Sequence, residues 1–100
     1  MATIPEPVRD AVSAQLAALV RGDEPGLLTW VRNYGGHPAT VVAQPDDIWS
    51  HPWSAAIPTD SGGWHVVVPL WTTEESPSDL SAEIIVDADR SAEITGVHVL

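Results

Sequence analysis

The hundred-residue sequence contains no cysteine and no lysine. Without cysteine there is no disulfide framework, no thiolate nucleophile and no cysteine-ligated zinc or iron–sulfur cluster. The four basic residues are all arginine, scattered at Arg9, Arg21, Arg32 and Arg90, and they face fourteen aspartates and glutamates for a formal net charge of −10. Surfaces that bind nucleic acid or anionic lipid cluster their lysines and arginines, so neither is an expected partner. No window approaches the roughly 18 to 20 apolar residues of a membrane span. The N-terminus also lacks a basic flank followed by an apolar core, and the expectation is a cytoplasmic chain with no membrane partner. Phosphate loops, nucleophile elbows and dinucleotide fingerprints are missing too, so no cofactor is expected and catalysis has no positive support.

Present instead are 44% apolar residues, five tryptophans, nine prolines and seven glycines. A chain of this length buries one core, and a single domain spanning 1–100 is expected. In "TIPEPVRDAVSAQLAALVRGD", Val8, Val12, Leu16, Leu19 and Val20 fall on one helical stripe. Thr3 and Glu6 have the spacing of a capping box, the prolines suit a first turn, and Gly22 suits a C-terminal cap. "DEPGLLTWVRNYGG" predicts a second helix from Asp23, lined by Leu27, Trp30, Val31 and Tyr34 and ended by Gly35-Gly36. Residues 37–63 carry four prolines between His37 and Pro58 and read as a covering segment, with a short strand near Thr40 to Ala43 and one helical turn from Pro45. The remainder predicts strands near 64–72, 80–88 and 91–100, with a tight turn at Asp89-Arg90. The fold class is therefore α+β: an N-terminal helical hairpin (1–36) packed on a C-terminal antiparallel sheet of three to five strands (64–100).

The strand from Leu80 alternates, with Leu80, Ala82, Ile84, Val86 and Ala88 on one face and Ser81, Glu83, Ile85 and Asp87 on the other. Pro69 removes a ladder donor, which predicts an edge or a bulge there, and Gly96 predicts a second bulge. That bulge leaves open whether Val97 and Val99, or His98 and Leu100, face the core.

Three groups are candidates for function. In "TTEESPSD", Glu74, Glu75 and Asp79 offer carboxylates, but their spacing matches no calcium loop, and short hydroxyl and carboxylate side chains that bond nearby amides explain the stretch as a hairpin loop. Trp49, His51, Trp53, Trp64 and His65, with Asp46 and Asp47 nearby, have the composition of a small-molecule pocket. Core tryptophans and surface histidines account for the same letters. No histidine pair has metal-ligand spacing, and no metal is expected. The third group is a sheet face displaying Ile85 with members of Val67, Trp71, Val97 and Val99, bordered by Glu83, Asp87 and Glu93. Such a strip is either covered by residues 37–63 or free to bind a protein.

"VPLWTTEESPSDL" (Val68 to Leu80) and "ITGVHVL" (Ile94 to Leu100) resemble a small bacterial family catalogued only as a domain of unknown function. The resemblance departs at Ser76-Pro77, where that family has a glycine and a basic residue. It implies a fold and no activity. The order of helices before a curved sheet is similar, more loosely, to NTF2-like and cystatin-like proteins. Together these readings lead to the expectation of a non-enzymatic acidic binding module. It would engage a protein partner, of basic character in an immunity-like or antitoxin-like role, or a second copy of itself in a homodimer. The alternative is a pocket protein or cofactor-free enzyme on an NTF2-like frame, using Trp49, His51, Trp53 and Trp64.

Overall fold

The computed structural model describes residues 4–22, 41–73, 75 and 77–99. Helix α1 runs Glu6–Arg21, and Val8, Val12, Leu16 and Leu19 are its buried stripe. Glu6 is the first helical residue and Pro5 holds the cap position, with no side chain capping the end. Glu6 therefore sits two positions before the place a capping-box acid would take, and Thr3, the other half of the expected box, lies outside the described residues. Pro7 lies in the first turn, where its missing donor would have no partner. At the other end Gly22 adopts φ 88°, and its N–H donates to the Leu19 carbonyl at 3.1 Å. The second helix, predicted from Asp23 to Gly36, lies outside the described residues, so a hairpin of helices is not part of the fold described here.

After Pro45 a 3-10 turn spans Asp46–Trp49. Four strands follow, β1 (Ala55–Pro58), β2 (Trp64–Pro69), β3 (Leu80–Val86) and β4 (Ala92–Val99). They form one antiparallel sheet in the order β1-β2-β3-β4, which makes the fold α+β. Strand β1 falls inside the stretch expected only to cover the sheet. It is four residues long and ends in Pro58, and its edge position tolerates the absent donor. The strand expected near Thr40 to Ala43 reduces, among the described residues, to a bridge between Val41 and Thr72.

One face of the sheet is interior. Val66, Val68, Leu70, Leu80, Ala82, Ile84 and Val86 share a buried cluster with the α1 stripe and Ile48. Pro69 fits at the end of an inner strand for a geometric reason. Leu70 N–H donates to Leu80 O at 2.9 Å, so its neighbour Pro69 directs its nitrogen toward the β1 side, and that ladder ends at the Ala55–Val67 pair. Neither an edge strand nor a bulge is needed there. The bulge near Gly96 is present: Ile84 pairs with Ile94 and Glu83 with Gly96, leaving Thr95 as the extra residue. This one-residue slip carries Val97 onto the interior face, where it is buried, and leaves His98 exposed.

The turn between β1 and β2 closes with Thr59 N–H donating to Gly63 O at 3.0 Å. A Cβ on Gly63 would lie 2.1 Å from the Val86 carbonyl oxygen, a contact only backbone movement could relieve. Gly63→Ala is therefore expected to destabilise the fold by about 1–3 kcal/mol, the range for forced overpacking. Urea unfolding monitored by tryptophan fluorescence measures this, and an unchanged midpoint would contradict the packing.

Candidate functional site

The hydroxyl-rich loop between β2 and β3 spends its polar groups on its own backbone. Ser78 Oγ donates to Leu70 O at 2.7 Å and accepts the Leu80 N–H at 3.1 Å. Thr72 N–H donates to Glu75 O at 2.9 Å, and Thr72 Oγ1 accepts the Glu75 N–H at 3.1 Å. Both hydroxyl residues are buried, whereas Glu75 and Asp79 are exposed. Glu74 lies outside the described residues. No three His, Asp or Glu side chains converge on a metal position among the described residues. Because Ser78→Ala would strand the buried Leu80 amide, while Leu70 O keeps the Ser78 backbone N–H at 2.9 Å, it is expected to cost about 1–3 kcal/mol. Differential scanning calorimetry would register the lowered melting temperature, while a variant as stable as wild type would show that water replaces the hydroxyl.

The five residues read as a pocket do not come together. Trp49 lies beside α1, with the Arg9 guanidinium 5.7 Å from its ring centroid. Arg9 Nε also donates to Ile4 O at 2.9 Å, and Ile4 N–H donates to Trp49 O at 3.1 Å. His51 instead meets Trp53 and Trp71 edge-on, at centroid separations of 5.1 and 5.6 Å. Its Nδ1 accepts the Trp53 N–H at 3.1 Å, which engages one of its two ring nitrogens. Trp64 packs against the core, while His65, one residue on, points to the opposite face of β2. Nearness in sequence placed these rings in one group, and strand alternation separates His65 from Trp64.

The sheet face opposite α1 carries a different set. Ile57, His65, Ile85 and Glu93 form one cross-strand row, and Ala55, Val67, Glu83 and Gly96 form the next. Ile57 is 57% exposed, and His65, Val67 and Ile85 are half-buried. The His98 ring lies over Gly96, whose Cβ, if it had one, would fall 2.7 Å from Nε2. That position brings Nε2 to 3.3 Å from Glu83 Oε2. Of the residues expected on this face, Val67 and Ile85 are on it, while Val97 belongs to the core because of the bulge. Trp71 is drawn against His51 and the core, and Val99 pairs through its backbone with Leu80 at the strand end. Ala55 and Ile57 were missed with β1. The alternation of "SAAIP" was too short a signal to find them.

Residues 41–49 of the covering segment lie on the helix side of the sheet, not across this face. Val41 and Ile48 are buried in the cluster on the helix side, and Trp49 packs against it. Gln44 fastens the segment to the end of β2, with Oε1 accepting Trp71 N–H at 2.7 Å and Nε2 donating to Trp71 O at 3.0 Å. A family model described as a domain of unknown function (DUF7668) matches residues 8–100. The chain belongs to that family. The DUF7668 match takes in α1 from Val8 and all four strands. No curated protein and no solved structure matches significantly. No described helix is long and apolar enough to cross a membrane.

Proposed function

We propose that this domain is a non-enzymatic binding module of the bacterial cytoplasm that engages a protein partner through the sheet face opposite α1. One observation carries the reading: Ile57, Val67 and Ile85 share a face opposite α1 and residues 41–49, and Glu83 and Glu93 border it. Fully burying a large aliphatic side chain contributes roughly 1.5–3 kcal/mol, and Ile57 has most of that gain still available. The acidic border and the net charge of −10 favour a partner with basic residues around an apolar centre. A second copy of the chain would bring two acidic borders together, so a different protein is the better match. Immunity-like or antitoxin-like binding of a basic protein is the sharpest form of this role. For the rival reading, Trp49 stands beside α1, His51 meets Trp53 and Trp71, and Trp64 packs on the core.

Ile85→Asp places a charge in the strip and leaves the interior-facing Ile84 untouched. The variant is expected to lower the melting temperature by several degrees yet stay folded, since Ile85 is half-buried and the new carboxylate stands opposite Glu93. Its binding to the partner recovered from host lysate should fall below detection in calorimetry, and wild-type binding should weaken as salt is raised. Outright unfolding of Ile85→Asp would make this face interior. Undiminished binding would move the interface elsewhere.

A further inference from the structure

A second surface lies on the other side of the molecule and is independent of the sheet-face proposal. Between the C-terminal half of α1 and the 3-10 turn is a cavity of about 320 Å³, walled by Leu16, Ala17, Val20, Ile48 and Trp49. Its size is that of a small-ligand site. It continues into a shallower, polar concavity of about 660 Å³, and Ser13, Asp46 and Trp49 belong to both. The polar part is lined by Arg9 and Arg90 on one hand and by Glu6, Asp10 and Asp46 on the other. Neither arginine forms an ion pair with a carboxylate among the described residues.

Arg90 is unusual in its backbone. It adopts φ 69° in the β3–β4 turn, where its N–H donates to Asp87 O at 2.8 Å. A left-handed position of this kind favours glycine or asparagine, and a long β-carbon-bearing side chain there is strained. In the same turn Asp89 is occupied by Ser91. Its carboxyl is held below the usual range first by the Ser91 hydroxyl and then by the Ser91 amide. The turn thus satisfies its own carboxylate locally and leaves the Arg90 guanidinium at the concavity. A left-handed backbone kept at a non-glycine residue whose side chain lines a concavity is the pattern of a functional position.

We infer that this concavity binds a small zwitterion with an apolar body, of the class of a free hydrophobic α-amino acid. Its carboxylate meets Arg9 and Arg90, its ammonium meets Asp10 and Asp46, and its side chain enters the apolar cavity against Trp49. Both signs of charge on one rim select such a molecule. Three carboxylates repel a simple anion, and two guanidinium groups repel a simple cation.

Three probes with the same phenylethyl body separate these cases: phenylalanine, 3-phenylpropionate and phenethylamine. In a titration followed by proton–nitrogen correlation spectra, phenylalanine is expected to shift the Trp49 indole resonance and the α1 amides saturably. The two singly charged probes should bind about tenfold more weakly or worse, as loss of a charge-assisted contact implies. Arg90→Gly should weaken phenylalanine binding by about tenfold or more while holding or raising the melting temperature, because glycine relieves the left-handed strain. A merely structural arginine would not separate binding from stability in that direction. Equal binding of all three probes, absence of any shift at millimolar phenylalanine, or undiminished binding by Arg90→Gly would each overturn the inference.

Discussion

The pleat of β3 decides which side of this molecule is interior. As a central strand it pairs with β2 on one side and β4 on the other, and its alternation sends Leu80, Ala82, Ile84 and Val86 one way and Ser81, Glu83 and Ile85 the other. A slip of one residue would exchange the two sets. Everything with an apolar stripe must settle on the first side, and α1 does so through Val8, Val12, Leu16 and Leu19. The bulge at Thr95 is part of the same arrangement, because only with it do both Ile94 and Val97 reach the interior.

The position of the Pro-rich segment depends on a small set of polar contacts. Ile4, Arg9 and Trp49 form a clasp in which the Ile4 amide and carbonyl are used by Trp49 and Arg9, and the guanidinium stands over the indole. Gln44 repeats the device at Trp71. These contacts hold residues 41–49 beside α1, extending the same layer, on the side of the sheet away from Ile57, Val67 and Ile85. One arrangement therefore produces two surfaces: an acidic-bordered apolar sheet face, and a mixed-charge groove along α1.

Much of this was readable from periodicity. The α1 stripe, the β3 alternation and the turn after Pro45 each rest on a strong local rule, and the structure follows all three. The loop from Thr72 to Ser78 was also legible as a turn, because its hydroxyls have more amides within reach than any ligand would need. What failed did so where the signal is three-dimensional. The bulge at Thr95 hides which of Val97 and His98 is buried, since alternation carries no record of an inserted residue. Strand β1 is too short to show a period. The tryptophan group looked like a site because its members are close in sequence, yet Trp64 and His65 are adjacent and face opposite ways. The groove could not be foreseen from sequence, since it joins α1 to a turn some thirty residues later and to Arg90 at the far end of the sheet.

The central claim is that one sheet face is interior and the other is open. The cysteine-free sequence allows a direct test, because a single introduced thiol reports on its own position alone. Thiol labelling kinetics would be measured under native conditions for Ile57→Cys, Ile85→Cys, Ile84→Cys and Val66→Cys in separate chains. The account predicts that Ile57→Cys and Ile85→Cys react at rates approaching an unfolded control, whereas Ile84→Cys and Val66→Cys react only through unfolding and are slower by orders of magnitude. Equal protection of Ile84→Cys and Ile85→Cys would mean that both faces of the sheet are buried, and it would contradict the account.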